Sequence, residues 1–338
     1  MPNSNGAFKT ILLLSAMGIL GACGGGGGGG GGGTTAGIAA SDPVTVNAAN
    51  AQTVAGSTLD ASDGLTGNTE GTSGLVALAA VGQPQSVQIN VIDTIIEQAR
   101  KAPVLFTGGP SGVTPAAVQS LNQNCDSGTI SGSFNDADND LSLSTGDTFS
   151  MTANNCSLDG VTMNGSISLS NVSVTGDEFS PPYSLQFTLQ ATNFSVSVGG
   201  EAVVMRGDGT ISESSSDAVN FISSVSGNGI EITAGGESLT LTDYDIQETE
   251  NQATGAYSIS INATISSSGL GGSVTVRTDV ALTGVGAFDP DSGQITCVGA
   301  GNTSVTLTVV DSINVQLEVD QNGDGIIDET LSSAWADL

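Results

Sequence analysis

The sequence predicts an all-β protein: a long antiparallel meander curled into a barrel, half-barrel or sandwich, with one short N-terminal amphipathic helix. From Thr129 onward, apolar and polar residues alternate, which is typical of strands with one buried and one exposed face. Glycine-rich turn signals separate these runs at short intervals, so consecutive strands most simply pair as antiparallel neighbours. A one-faced sheet of roughly ten to thirteen strands must curl to bury its apolar side.

The alternation is clearest in four runs, whose apolar members we expect on the buried face. These are Leu185, Phe187 and Leu189; Tyr257, Ile259, Ile261 and Ile265; Val274, Val276, Val280 and Leu282; and Val315, Leu317 and Val319. The turn signals between runs include Gly199-Gly200, Arg206-Gly207-Asp208-Gly209, Gly227-Asn228-Gly229 and Gly235-Gly236.

The N-terminus has the features of an export signal. Lys9 precedes an apolar run at residues 11–20, and small residues stand just before Cys23. The apolar run is too short to span a bilayer. The block Leu20-Gly21-Ala22-Cys23 resembles the lipobox of bacterial lipoproteins, which implies a signal peptide at residues 1–22 and acylation of Cys23. The membrane would then be a partner through this lipid, because several acyl chains together give stable anchoring.

Residues 23–82 predict a flexible tether behind the lipid. Gly24 follows the cysteine where an aspartate would retain a lipoprotein in the inner membrane, so the resemblance implies the outer membrane of a Gram-negative cell. Whether the protein faces the periplasm or the outside stays open. Ten consecutive glycines begin the segment, and glycine, alanine, serine and threonine dominate its remainder, so it buries too little apolar surface to offset its ordering entropy.

Residues 83–102 predict the one short helix. Within Val87–Lys101, isoleucines and an alanine recur at helical spacing, two cations occupy the last turn, and Pro103 follows as a stop. We expect its isoleucine stripe to pack on the sheet. Residues 103–338 then form a single acidic β domain that ends in a hairpin.

Composition excludes several function classes. Against 34 acidic residues stand five basic ones, a formal net charge of −29, so nucleic acid is excluded as a partner and an envelope protein or a glycan is favoured. The chain contains no histidine, which removes catalytic triads and imidazole bases. An acid-only hydrolase using carboxylates such as Asp243 and Asp245 is the last catalytic option, and a solvated strand face explains these residues better. We therefore expect no enzymatic activity.

Three cysteines remain beside Cys23, and in an oxidising compartment two of them can pair. Cys125 and Cys156 flank one polar, acidic segment and both lie in turn-like contexts, so we predict a disulfide between them. Cys297 follows Ile295 on the same strand face and is interpreted as a small buried hydrophobic residue.

The sharpest motif is a calcium-type loop near the C-terminus. It resembles the loops of EF-hand, dockerin and thrombospondin type 3 repeats, with oxygen ligands at alternate positions and Gly325 at the sixth. Leu331 stands where an EF-hand has a bidentate glutamate, so the shorter loops are the closer comparison. The resemblance implies structural Ca²⁺; the alternative is a metal-free hairpin turn. The predicted ligands are Asp320, Asn322, Asp324, Asp328 and the carbonyl of Ile326.

A second acidic run lies inside the predicted disulfide loop. Asp136, Asp138 and Asp140 alternate there, and the run continues to Ser142 and Asp147. Carboxylates this close repel one another, so the alternatives are a calcium ion or a solvated, mobile loop.

The sequence thus favours a non-enzymatic outer-membrane lipoprotein that presents a calcium-stabilised β domain for cell-envelope or surface interactions. The alternative is a periplasmic carrier whose curled sheet encloses a lipid or another hydrophobic ligand. A cavity large enough for an acyl chain favours the carrier, and a filled core favours the first interpretation.

Overall fold

The structure is a computed structural model, and it describes residues 38–66 and 118–338 except 139, 141, 142, 159, 178, 179, 199, 200 and 287. The predicted signal peptide, Cys23 and the helix predicted within residues 83–102 lie outside the described residues. Among the residues that are described, no helix combines the length and the apolar character needed to cross a membrane.

The predicted antiparallel meander is confirmed. One sheet of fourteen strands has a spatial order identical to the chain order, so each strand pairs with its sequence neighbours, and the first and last strands are its edges. The strands are β1 (Val118–Asn124), β2 (Ser127–Asn135), β3 (Thr148–Leu158), β4 (Val161–Asp177), β5 (Ser180–Val198), β6 (Glu201–Ser215), β7 (Asn220–Ala234), β8 (Glu237–Asn251), β9 (Ala256–Ser267), β10 (Gly272–Val285), β11 (Ser292–Val298), β12 (Ser304–Val309), β13 (Asn314–Asp320) and β14 (Glu329–Ala334). Short 3₁₀ turns occupy Ala300–Asn302 and Trp335–Asp337.

The four alternating runs place their apolar residues on one buried face, with a single exception. Leu185, Phe187 and Leu189 are all buried and belong to one hydrophobic core shared with the other strands. Val280 is instead 56% exposed. The ladder between β10 and β11 shifts its register between Thr278 and Val280, and such a shift moves a side chain to the opposite face.

Two of the predicted turns are wrong. Arg206 to Gly209 lie in the middle of β6, and Gly227 to Gly229 lie in the middle of β7, whereas Gly235-Gly236 does join two strands. At β6 the physical reason is that a glycine tolerant of positive φ suits a β-bulge as well as a turn. Gly207, for example, has φ +117° inside its strand. At β7 the glycines instead leave room for neighbouring side chains, Tyr244 at Gly227 and Ile38 at Gly229.

The mid-strand irregularities form a row across most of the sheet, interrupted between β7 and β8. Register shifts occur between β3 and β4, then between each following pair up to β6 and β7, and again from β8 and β9 to β10 and β11. Non-glycine residues at positive φ lie at four of these shifts: Asn155, Asn171, Asn193 and Asp243. Asparagine and aspartate accept this conformation better than other side chains. A β-bulge typically bends the strand that carries it.

Tyr244 packs beside this row and contacts two glycines. It is buried next to Asp243, and its hydroxyl donates a 2.9 Å hydrogen bond to the carbonyl of Asp208. A Cβ atom added at Gly209 would lie 2.4 Å from the Tyr244 hydroxyl oxygen, and one at Gly227 would lie 2.6 Å from it. The absence of side chains at these two positions therefore gives the tyrosine ring its space.

The predicted tether is corrected over residues 38–66. A helix, α1 (Ala51–Thr66), lies there and contacts β8, β9, β12 and β13. Its buried residues follow the i, i+3, i+4, i+7 spacing of an amphipathic helix. They are Ala51, Val54, Ala55 and Thr58. The stripe is made of small side chains, so the composition argument for a tether missed it, although small residues let a helix approach a sheet closely.

The segment before α1 is attached to the sheet by backbone hydrogen bonds. Val44 donates to the carbonyl of Ser273, and Ser273 donates to the carbonyl of Asp42, at 2.9 and 3.0 Å. The carbonyl of Val44 also accepts from Ala300. β11 pairs with β10 only from Thr275 onward, and the segment before α1 pairs with the start of β10 instead.

We expect Gly56→Ala to destabilise the fold. In an exposed helix, a change from glycine to alanine instead stabilises a protein by about 0.4–1 kcal/mol. The new Cβ would lie 2.1 Å from the backbone oxygen of Leu338, so α1 and the C-terminus must separate, at a cost of about 1–3 kcal/mol. Urea unfolding measures the change. Ser57→Ala, in the same helix, is the matched control; a Gly56→Ala variant as stable as the control would contradict the packing of α1.

We expect Gly209→Ala to cost about 1–3 kcal/mol in the wild-type background and much less in a Tyr244→Phe background. Removing the hydroxyl leaves the nearest ring carbon 3.5 Å and the Ser226 carbonyl oxygen 3.2 Å from the new Cβ, a tight approach in place of an overlap. A double-mutant cycle of unfolding free energies measures the coupling. Gly269→Ala, which meets only a serine oxygen at 3.8 Å, is the control. Additive losses would show that the tyrosine does not need this space.

Candidate metal centre

Two aspartates are brought face to face by the hairpin of β2 and β3. Asn135 pairs with Thr148 at the last rung of the ladder, so the residues that follow and precede them, Asp136 and Asp147, leave the sheet side by side. Both are 0% exposed. Asp138, in the connecting loop, is exposed, and one carboxylate oxygen from each of the three lies within 4.8 Å of the others.

Backbone N–H groups of the loop fix two of these carboxylates. The two oxygens of Asp147 accept hydrogen bonds from the N–H groups of Ala137 and Ser144, at 2.8 and 2.7 Å. The Oδ1 atom of Asp136 accepts from the N–H of Asp140 at 3.2 Å. The Ser144 hydroxyl is buried and has no hydrogen-bond partner in the described part of the chain. The site therefore combines fixed carboxylate oxygens with an unpartnered hydroxyl on the residue whose backbone N–H binds Asp147.

The ligand set predicted for this loop needs one change. The structure brings Asp136 and Asp138 together as expected, but the third carboxylate is that of Asp147 and not that of Asp140. Asp140 contributes its backbone N–H to Asp136 instead. Alternate spacing along the chain was the signal used for the prediction, whereas the ladder between β2 and β3 selects the third member.

The disulfide predicted around this loop is present. Cys125 and Cys156 are bonded, with their Cα atoms 5.3 Å apart. The bond joins the chain before β2 to the far part of β3, so the hairpin that carries the carboxylates is closed by a covalent link. For a loop of this length the chain-entropy model gives about 3.5–4 kcal/mol of stabilisation.

The C-terminal loop, Asp320 to Asp328, connects β13 to β14, and its acidic side chains point to its own backbone. Asp320 is buried, and its two oxygens accept hydrogen bonds from the N–H groups of Gly323 and Gly325, at 2.8 and 2.7 Å. Asp328 accepts from Gln321 in the same way. In the described part of the chain, the group of three carboxylates that converges within 4.8 Å is the one at Asp136.

The remaining predicted ligands of this loop follow the same pattern. The side chain of Asn322 accepts from the N–H of Asp324, and that of Asp324 accepts from the N–H of Ile326. Gly323 and Gly325 have φ +75° and +82°, as tight turns require. This geometry is that of the hairpin-turn alternative, and calcium binding by the loop stays a prediction.

Burial alone would raise the pKa of Asp320, but hydrogen bonds from the loop backbone outweigh burial and lower the pKa below its usual 3.8. These bonds come from the N–H groups of Gly325, Gly323, Asn322 and Asp324. The carboxylate form is therefore the one that the folded loop stabilises.

The described residues give little support to nucleophilic chemistry at a thiol. Cys297 is buried, as predicted, and its Sγ lies 3.3 Å from the Thr58 hydroxyl of α1. Burial raises the pKa of the thiol to about 11, although the Thr58 hydrogen bond lowers it slightly. At neutral pH the group is a thiol, which is a weak nucleophile.

Comparison with family models, with curated proteins and with solved structures finds no match for this chain.

We expect Asp320→Asn to destabilise the protein at neutral pH and to have a smaller effect as the pH falls below 3.8. The folded-state pKa is lowered, so the stabilisation is complete above the unfolded value and disappears as the wild-type carboxylate becomes protonated. Urea unfolding at several pH values, down to about pH 3, measures the difference. Asp324→Asn, at an exposed position, is the control; a pH-independent Asp320→Asn effect would contradict the assignment.

Proposed function

We propose that this chain is a lipid-anchored protein of the bacterial outer membrane whose β domain holds calcium at the Asp136 loop and acts by binding a partner in the cell envelope. The lipobox resemblance at Cys23 supports the location. The observation that carries the calcium assignment is the convergence of the Asp136, Asp138 and Asp147 carboxylates. The proposed role is non-enzymatic.

The spacing of the carboxylates supports a single ion. Oxygens that bind one calcium ion at about 2.4 Å lie at most about 4.8 Å apart, which is the limit that the three carboxylates satisfy. Calcium takes six to eight oxygen ligands, and carboxylates, carbonyls, hydroxyls and water all qualify. Asp136, Asp138 and Asp147 would supply the charge, while Ser144 and loop carbonyls are available for further coordination.

A structural role for this calcium follows from burial. Two carboxylates that are withdrawn from water and close together repel each other strongly unless a cation lies between them. Calcium would offset this repulsion and fix the loop at the end of β2 and β3. The ion would thus stabilise one end of the sheet and need not exchange during function.

The same proposal includes the curvature of the sheet. Of the three predicted forms, the row of bulges favours the half-barrel. Bulges bend long strands, and β1 and β14 remain the two edges of the sheet.

The carrier alternative finds no support in the described core. A cavity lined by Met205, Ile230 and Tyr244, among others, has a volume of about 10 Å³. That is room for about one water molecule, whereas pockets for small molecules measure about 300–1,000 Å³. The small volume of this cavity therefore favours a domain that binds partners on its surface.

Native mass spectrometry of the full chain with Cys23→Ser, exported but not lipidated, tests calcium binding. We expect at least one bound calcium that a chelator removes, and a calcium affinity at least ten-fold lower in Asp138→Asn. Asp138 is exposed and its one described hydrogen bond is long, 3.4 Å, so this substitution should leave the metal-free fold unchanged.

Asp324→Asn, in the C-terminal loop, is the matched control and should retain the Asp136-loop ion. A chain that binds no calcium at millimolar concentration, or an Asp138→Asn variant that binds as tightly as the parent, would contradict the proposal. A second calcium that Asp324→Asn removes would place an ion in the C-terminal loop as well.

A further inference from the structure

We propose that two neighbouring turns at one end of the sheet form a docking surface for a cationic, amphipathic segment of a partner protein. Four large apolar residues define this surface, called here the turn surface: Val285, Phe288, Val310 and Ile313. The inference rests on the binding role proposed above and gives it a location and a class of partner.

The antiparallel meander places these residues at the same end of the sheet. Val285 ends β10 and Phe288 lies in the connection to β11, while Val310 and Ile313 lie in the connection of β12 to β13. In an antiparallel meander, successive connections alternate between the two ends of the sheet, so every second connection lies at the same end. With strands about 4.8 Å apart, the two turns are separated by about 10 Å, so one segment can contact both.

The side chains of the turn surface are exposed to an unusual extent for their size. Phe288 is 75% exposed and Ile313 is 66% exposed, with Val310 and Val285 at 58% and 50%. Large apolar side chains grouped on one exposed surface commonly mark an interaction site. The remaining exposed large apolar residues of the described chain lie elsewhere, for example Ile326 and Ile327 in the C-terminal loop at the opposite end.

Hydrogen bonds anchor described residues in both turns. The Tyr257 hydroxyl donates to the carbonyl of Phe288 at 2.6 Å. The Asp311 carboxylate accepts from the N–H of Ile313, and the indole N–H of Trp335 donates to the carbonyl of Asp311. A surface presented on fixed turns loses little conformational entropy when it binds a partner.

Charge selects the partner. Asp289, Asp291 and Asp311 are exposed beside the apolar residues, so the turn surface is both apolar and anionic. The two described arginines are engaged elsewhere, Arg206 with Glu231 and Arg277 with Asp279. A segment with apolar side chains and flanking lysines or arginines complements such a surface.

The same charge disfavours two other occupants. A second copy of the chain would bring two acidic surfaces together, since the formal net charge is −29. An anionic lipid surface would be repelled for the same reason. A cationic segment of another protein is the occupant to which the charges point.

Fluorescence anisotropy with a labelled lysine–leucine peptide of about eighteen residues, long enough to form an amphipathic helix, tests the proposal on the Cys23→Ser chain. We expect the peptide to bind, and Phe288→Ser combined with Ile313→Ser to raise its Kd about ten-fold or more, as the loss of two buried apolar side chains predicts. Ile222→Ser combined with Ile327→Ser, at exposed apolar positions outside the turn surface, is the matched control and should change Kd less than two-fold.

A peptide of the same composition with its apolar face scrambled separates specific docking from charge attraction. Absence of peptide binding, equal binding of the scrambled peptide, equal effects of the two double variants, or preferential binding to anionic vesicles would each overturn the turn surface. The calcium content of the same samples distinguishes this failure from failure of the proposed metal centre, because the turn-surface substitutions lie outside the Asp136 loop.

Discussion

The constraint on which the rest of this structure depends is that one single sheet must bend in the middle of its long strands. β4 and β5 have 17 and 19 residues, well above the usual five or six. Register shifts from β3 to β7 and from β8 to β11 offer points at which such strands bend, and residues at positive φ, such as Asn193 and Gly207, accompany several of these shifts. Tyr244 fills the space beside the row because Gly209 and Gly227 leave it open.

The acidic side chains serve two distinct purposes in the fold. The pKa is lowered at Asp217, Asp311 and Asp320. Nearby backbone N–H groups donate hydrogen bonds to each of these carboxylates, which stabilises the charged form and holds a turn. At Asp136 and Asp147 the hairpin brings carboxylates toward each other instead of toward the backbone alone. The first arrangement satisfies the charge locally, and the second is the one at which we propose a cation.

These two purposes explain why the carboxylates of the two predicted calcium loops are arranged differently. The C-terminal loop has the stronger sequence motif, yet a carboxylate such as that of Asp320 is occupied by N–H groups only three and five residues away. The loop at Asp136 has the weaker motif, because Leu141 stands where a calcium loop has glycine, and alternate spacing proposed Asp140 as its third ligand. Its third carboxylate, Asp147, lies across a hairpin, and strand pairing rather than spacing determines that proximity.

The sequence by itself determined the meander, its buried face, the Cys125–Cys156 disulfide and the burial of Cys297, because alternation and chain neighbourhood are local properties that a one-faced sheet preserves. Only the tertiary structure decided that Gly207 lies in a bulge and not in a turn, because both conformations require a residue that tolerates positive φ. It also decided that α1 packs on the sheet, because its buried stripe is made of small residues that carry little apolar signal. Both the bulge at Gly207 and the packing of α1 depend on contacts between residues that are distant in the sequence.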